Sequence, residues 1–403
     1  MVPQSGYELR DRNSGSPGGV FSLKIALVSP YDFSYKGGVV SHVVSLGNEL
    51  SSRGHNVKIL APCSDPEQVE TGEVELISFG RSGPVPSAGS ISRISFSVWH
   101  RPRLKATLEK EAFDVVHLHE PLMPMFALMC CFLAKAPKVG TFHAFNEGRG
   151  SGYTIWKPVL AKGASRLAGR IAVSEPARDF ANRYFPGDYK VIPNGIDVER
   201  FGKPSSWPAL MDPDKTNILF VGRMGEKRKG LRYLLGAYST LKWEFPDLRL
   251  VIVGPGEPDP TSYLTMGERA IDDVVFAGPV SDDELPGYYQ AADIFCSPAT
   301  GKESFGYVVV EAMAAGTPVV ATSIPGFLGV MRDGEQGFLV EPKSEESIAA
   351  ALRILILDRT LRHRLGAAGR NSAQQYRWDR LAESVVDCYR AAIQQTPAAV
   401  GAI

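Results

Sequence analysis

Glu303 and Glu311 stand with seven residues between them in "TGKESFGYVVVEAMAAGTPVVAT", residues 300–322. One carboxylate falls in a loop and the other inside an apolar, helix-forming run, beside glycines that leave the backbone bare. Carboxylates accept hydrogen bonds from sugar or ribose hydroxyls, while free amides at a helix start donate to phosphate oxygens. The pattern predicts a helix over 304–315 whose first amides, Ser304 to Gly306, are free beside Glu303. In such a helix residues seven apart differ by about 20° around the axis, so Ser304 and Glu311 share a face. An acid at a helix start can also serve the helix dipole alone. Glu311 is harder to dismiss, because an acid on a half-buried face needs a partner.

A second constellation, "VGRMGEKRKG" at residues 221–230, places Arg223 and Lys229 after a strand, with three further charged residues between them and Gly230 opening a helix. Arginine forks onto two phosphate oxygens and lysine supplies a movable point charge. The plain alternative is a solvated basic loop. "GGVVSH" at 37–42 is weaker: Gly38 lets backbone amides approach a ligand at a helix N-terminus, but two glycines after a strand often form only a tight turn. No G-x-G-x-x-G fingerprint accompanies either motif. His143 in "TFHAF" ends an apolar strand. His117 and His119 in "HLHEP" are read as alternating across a strand, so that at most one faces a cleft. His119, Glu120 and Tyr31 are the acceptor-side candidates.

These groups need a frame to hold them. The chain has 403 residues, 44% of them hydrophobic, enough for two cores. Lys plus Arg and Asp plus Glu both total 44, so no global field points to nucleic acid, and any anion site is local. The cysteines, Cys63, Cys130, Cys131, Cys296 and Cys388, lack metal-ligand spacing and read as reduced packing residues of a cytosolic protein. "LMPMFALMCCFLA" (122–134) is too short to span a bilayer and reads as a buried helix. Residues 1–22 are polar, rich in Gly, Ser and Pro, and are expected to form a disordered tail.

Strand and helix patterns alternate in two runs. "KIALVS", "NVKILA", "DVVHLH", "KVGTFH", "RIAVS" and "YKVIP" supply the first set of strands, and "NILFVG", "LRLVIVG", "DVVFAG", "DIFCSP" and "PVVAT" the second. The expected fold is α/β, two doubly wound, Rossmann-like domains with their strand carboxyl ends facing a cleft. The domains are placed at 23–200 and 201–375, with a C-terminal helix at 376–395 packing back toward the first. "DPD" at Asp212 to Asp214 lies in a Pro-rich linker and reads as a turn rather than a metal site.

The stretch "ESFGYVVVE" is similar to the E-x7-E motif of the retaining transferases of glycosyltransferase family 4, which have the GT-B fold. The resemblance extends over almost all of the chain after the tail, through "YDFSYKGGVVSHVVSLGNELSSRGHNVKILAP", "FDVVHLHEP", "TFHAF", "GRIAVSE", "IPNGID", "VGR" with "RKG", and "EAMAAGTPVVAT". Within the family it is greatest to members that mannosylate phosphatidylinositol. The resemblance implies that Arg223 and Lys229 bind the donor diphosphate in place of a metal. Glu303 would hold the transferred sugar and Glu311 the ribose. Backbone groups of Ser304, Phe305, Gly306 and Tyr307 would line the donor, Gly38 would approach its diphosphate, and Val280 and Asp282 would lie near the base. His143 corresponds to the family's active-site histidine. GDP-mannose is the implied donor, with UDP- and ADP-sugars as alternatives, and no metal or tightly bound cofactor is required. A different lipid or a soluble polyol as acceptor in place of phosphatidylinositol stays open, because Val40, Ala144 and Phe145 depart from the polar residues those members carry.

"SFSVWHRPRLKATLEK" brings Trp99, Arg101, Arg103 and Lys105 together, as in a helix drawn to anionic lipid, although Glu109 and Glu111 dilute its charge. A solvated helix face is the alternative. The expected protein is therefore a cytosolic monomer with peripheral contact at the inner membrane face. An oxidoreductase would need a dinucleotide fingerprint, and a non-catalytic sugar-nucleotide-binding chain would be expected to lose a donor group; none is lost.

Overall fold

The computed structural model describes residues 22–87, 90–146, 151–258 and 273–396. The tail expected at 1–22 lies outside them except for Ser22. The first sheet contains β1 (Lys24–Val28), β2 (Asn56–Ala61), β3 (Glu75–Ser78), β6 (Val115–His119), β7 (Lys138–Phe142), β8 (Gly169–Ala172) and β9 (Lys190–Val191), in the order β3-β2-β1-β6-β7-β8-β9. Between β3 and β6, β4 (Gly83–Ser87) and β5 (Ser90–Ile94) pair as an antiparallel hairpin. The second sheet contains β10 (Thr216–Val221), β11 (Leu248–Val253), β12 (Val274–Gly278), β13 (Ile294–Ser297), β14 (Val319–Thr322) and β15 (Gly337–Val340), in the order β12-β11-β10-β13-β14-β15. Every pairing within these two sheets is parallel, and the central strands β1, β6, β10, β11, β13 and β14 are largely apolar runs buried on both faces, as covered parallel sheets show.

The direction of winding reverses between β1 and β6 in one sheet and between β10 and β13 in the other. Loops leaving neighbouring strands diverge at such a point and open a crevice at the strand carboxyl ends. The glycine pair after β1, the basic loop after β10 and the loop after β13 all lie at these switch points.

The last helix, Trp378–Gln395, buries Leu381, Ala382, Val385, Val386 and Tyr389 against Ile25, Leu27 and Ile171 of the first sheet. The chain thus returns to the first unit, and the two crossings touch: Ile196 N–H donates to the Tyr376 carbonyl at 2.9 Å. Ile196, Val198 and Phe201 are packed in the core of the second unit. The "DPD" segment is a turn, Asp214 N–H donating to Asp212 Oδ1 at 3.0 Å.

Asp273, just before β12, anchors the outer edge of the second sheet. It pairs with Lys215 and lies 2.5 Å from Lys242 Nζ, with side-chain exposures of 13% for Asp273 and 8% for Lys242. Burial pushes this carboxyl up, but hydrogen bonds from Lys215 and Lys242 outweigh it and hold the group below its ordinary 3.8. Asp273→Asn leaves Lys242 buried without its counter-charge and is expected to cost about 3 kcal/mol at neutral pH. Because the folded-state pKa is depressed, this contribution is full above 3.8 and is lost as pH falls through the lower folded value. Denaturant unfolding of both proteins across that range checks the result: the gap between them should close in acid.

Candidate active site

The basic half of the candidate site is built on two loops. After β10 the chain turns through Gly222 and the single 3₁₀ turn Lys227–Lys229, then enters the helix Leu231–Glu244 through Gly230, at φ +74°. After β13 it runs through Lys302, at φ +60°, and Gly306, at φ +94°, into the helix Tyr307–Ala315. The Arg228 carbonyl accepts from Thr300 N–H at 2.7 Å and ties the loops together.

Their side chains then meet. Glu303 Oε1 accepts from Arg228 Nη1 at 2.5 Å and from Lys229 Nζ at 2.7 Å. Arg228 also reaches Glu226 at 2.6 Å, and Arg223 reaches Glu226 at 3.2 Å. Three cations are therefore held against two carboxylates, an excess of positive charge with the ends of a strand and a helix nearby. That is the environment a diphosphate requires. Arg228 was hidden in the sequence among neighbouring charges, and its contacts with Glu303 and Glu226 are what bring it into the site.

The expected helix over 304–315 is corrected by this geometry. Gly306 takes the left-handed conformation, so the helix begins at Tyr307, and Ser304 lies in the preceding loop rather than on the face of Glu311. Glu303 reaches the site through its loop and its two basic partners, not through a helix start. Phe305 is buried in the core against Tyr307 and Tyr376, so only its backbone is available to a ligand. Glu311, on the second turn, accepts from Tyr289 Oη at 2.8 Å, and burial pushes its carboxyl up. Val280 packs at the margin of the same core.

The first unit closes over this loop pair. Arg223 Nη2 donates to the Lys36 carbonyl at 3.2 Å, and Lys36 Nζ pairs with Asp282 at 2.9 Å. Gly38 begins the helix Gly38–Ser52, and a Cβ there would lie 3.5 Å from the Tyr307 ring. That is ordinary van der Waals contact, so the two units meet at Gly38 without the space there demanding a glycine.

The histidines line the opposite wall. His119 Nδ1 and His143 Nε2 are 3.1 Å apart, and His42 stands edge-on to both, with ring centroids at 5.2 and 4.9 Å. His42 Nδ1 is 3.5 Å from Tyr307 Oη, which links these histidines to the second unit. Burial is the main cause that lowers all three imidazoles, His42 to about 3 and His119 and His143 well below the usual range. His42 escaped the sequence reading, yet it falls on the same buried helix stripe as Val43, Leu46 and Leu50.

The expectation that His117 and His119 face opposite ways is also corrected. Residues two apart share a strand face, and the two rings stack with centroids 4.3 Å apart. His117 is held by Tyr389 Oη at 2.7 Å and Thr141 Oγ1 at 2.6 Å, which makes it the support behind His119. Glu120, at φ +50°, accepts the N–H groups of His143 and Ala144, each at 2.6 Å, and burial pushes its carboxyl up to about 7. Tyr31 lies beside this acid, its hydroxyl raised by burial and then by the Glu120 charge.

Trp99 is 87% exposed in the turn before the helix Arg101–Glu111. Arg101 projects to solvent, Lys105 lies 4.0 Å from Glu109, and Arg103 lies 5.1 Å over the Phe79 ring. Among the described residues no helix is long and apolar enough to cross a membrane.

Comparison with known proteins agrees with this geometry. Residues 36–200 match the model described as Glycosyltransferase Family 4, and residues 205–372 the model described as Glycosyl transferases group 1. The chain is 37% identical over 371 residues to a phosphatidyl-myo-inositol mannosyltransferase of Mycobacterium tuberculosis H37Rv, covering 91% of this chain and 96% of that one. It is 36% identical to one of the same name from Propionibacterium freudenreichii, covering 92% and 96%. Among solved structures, sucrose-phosphate synthase from Thermosynechococcus elongatus superposes with a TM-score of 0.73 at 21% identity, covering 93% of this chain and all of that one. A glycosyltransferase from Rickettsia africae superposes at 0.74 with 19% identity, covering 93% and 100%. The two parallel sheets, the facing switch points and these matches establish that the chain belongs to glycosyltransferase family 4 and is a GT-B transferase.

Proposed function

We propose that this transferase moves mannose from GDP-mannose to the inositol of phosphatidylinositol, with retention of anomeric configuration, at the cytoplasmic face of the membrane. The observation that carries the donor half is the convergence of Arg228 and Lys229 on Glu303, with Arg223 of the same loop reaching Glu226 on one side and the Lys36 carbonyl of the first unit on the other. The relatives' printed name supports the acceptor. In this reading residues 23–200 form the acceptor side and 201–375 the nucleotide-sugar side.

The geometry suits departure of a diphosphate. As the bond from C1 to the β-phosphate oxygen breaks, charge grows on the phosphate, where Arg223, Arg228 and Lys229 stabilise it in a water-poor cleft. The acceptor oxygen bonds to C1 on the face that the phosphate leaves, and its proton passes to the departing phosphate oxygen. Glu303 is a positioning residue that takes sugar hydroxyls while its basic partners turn to phosphate. Glu311 takes the ribose, Val280 and Asp282 lie by the base, and His143 faces the reacting sugar. Tyr31, His119 and Glu120 shape the acceptor side. Trp99, with Arg101, Arg103 and Lys105, brings the first unit to anionic lipid.

Purified protein with radiolabelled GDP-mannose and vesicles containing phosphatidylinositol is expected to yield labelled lipid. Vesicles of phosphatidylcholine alone should yield none, and Glu303→Ala should lower the rate by about 100-fold or more. Ala144 and Phe145 favour one second reading, a different acceptor, which predicts donor binding without lipid labelling. If GDP-mannose neither binds nor turns over while a UDP- or ADP-sugar raises the melting temperature, the donor assignment is wrong.

A further inference from the structure

His42, His119 and His143 come from three separate elements: the helix after the glycine pair, the end of β6 and the segment after β7. All three are buried, and one nitrogen from each lies within 4.8 Å of the others. Two rings already present nitrogens to one another at 3.1 Å, while His119 Nε2 is buried with no hydrogen-bond partner. The ring of His119 cannot turn away freely, because His117 stacks against it and is pinned at both nitrogens by Tyr389 and Thr141. On the other side, Glu120 fixes the His143 backbone.

We propose that these three histidines form a binding site for a borderline divalent cation of the Zn²⁺ class, and that occupation of the site blocks sugar transfer. Three imidazoles with no thiolate favour Zn²⁺, Co²⁺ or Ni²⁺ over Mg²⁺ or Ca²⁺, which take oxygen ligands. Zinc bound to nitrogen at about 2.0–2.1 Å in a tetrahedron sets its ligand nitrogens roughly 3.4 Å apart. His119 Nδ1 and His143 Nε2, now sharing a hydrogen bond at 3.1 Å, must give up its proton and part by about 0.3 Å to reach that spacing, and His42 must approach them. Three protein ligands leave a fourth position, and His143, 7% exposed, gives that position access to the cleft. The blocking role rests on the transferase reading above. A bound ion takes the His143 ring from the sugar and places two positive charges where the sugar itself becomes oxocarbenium-like, which opposes the transition state.

The test uses the full chain, stripped with chelator and titrated with Zn²⁺ in a calorimeter. About one ion per chain should bind, Mg²⁺ should not compete, and His42→Ala and His143→Ala should each weaken binding at least about 100-fold. His363→Ala, on an exposed helix position, should leave binding unchanged. A second readout independent of the variants is the Co²⁺-loaded native chain, whose proton spectrum should show paramagnetically shifted imidazole N–H signals. Absence of those signals, or Zn²⁺ affinity unchanged in both variants, overturns the site. Zn²⁺ should also stop sugar transfer, and chelator should restore it. If Zn²⁺ binds at these histidines while transfer runs undiminished, the blocking role is wrong and the site stands. Zinc binding by a chain that transfers no mannose would overturn the proposed donor and acceptor alone.

Discussion

Lys229→Ala is expected to lower kcat/KM for sugar transfer by roughly 10²–10³-fold while leaving the melting temperature nearly unchanged. The amine is 2.7 Å from Glu303 and only 17% exposed, so it acts in a partly desolvated site. Removing it leaves Glu303 paired with Arg228 at 2.5 Å, and the tie from Thr300 to the Arg228 backbone persists, so the two loops stay in place. In the proposed mechanism, what disappears is a positive charge beside the departing phosphate. That charge matters most when the bond to C1 is breaking, so kcat should fall more than KM rises. Lys229→Arg should not restore the rate, because a planar fork cannot take the place of a compact ammonium against the same carboxylate. Steady-state kinetics and a melting curve on the three proteins decide the matter; a variant that melts early would mean that the loss is structural.

Gly230→Ala, one residue further on, should remove both activity and stability. Its backbone is at φ +74°, and an added Cβ would lie 1.9 Å from the Pro298 carbonyl oxygen and 2.7 Å from its carbon. Left-handed backbone costs a non-glycine residue roughly 1–2 kcal/mol. Relief of the clash must part the loops after β10 and β13, which are the two that carry Lys229 and Glu303. A total above about 3 kcal/mol is expected, which lowers the melting temperature of a unit this size by roughly 6–12 °C. Gly83→Ala provides the control, since nothing lies within 4 Å of its added Cβ. Equal melting of the two glycine variants would show that the two loops do not need this approach.

The sequence made the inner strands readable because buried parallel strands are short apolar runs bounded by turn residues, whereas the edge strands β3 and β15 were not among the runs read. The hairpin of β4 and β5 escaped because Pro84 and Pro86 argue against a strand, although an edge pair outside the main sheets tolerates them. Glu303, Glu311, Arg223 and Lys229 were visible as charges that apolar or turn-forming surroundings do not explain. The start of the helix at Tyr307 was not, because only the backbone at Lys302 and Gly306 reveals that "KESFG" is a loop. Arg228 could not be singled out among its neighbouring charges, because its contacts with Glu303 and Glu226 form only in the fold. The histidine wall required topology: the helix stripe marks His42 as buried, but it takes the adjacency of β1, β6 and β7 to bring it to His119 and His143.

The most direct test of retaining transfer at this site is the anomeric configuration of the first product, read by proton NMR from the native enzyme supplied with GDP-α-mannose and a short-chain phosphatidylinositol. The proposed placing of Lys229, Arg228 and Glu303 around the donor, with attack on the face that the phosphate leaves, predicts an α-mannoside in the earliest time points. A β-mannoside as first product would place the acceptor on the opposite face and contradict the mechanism.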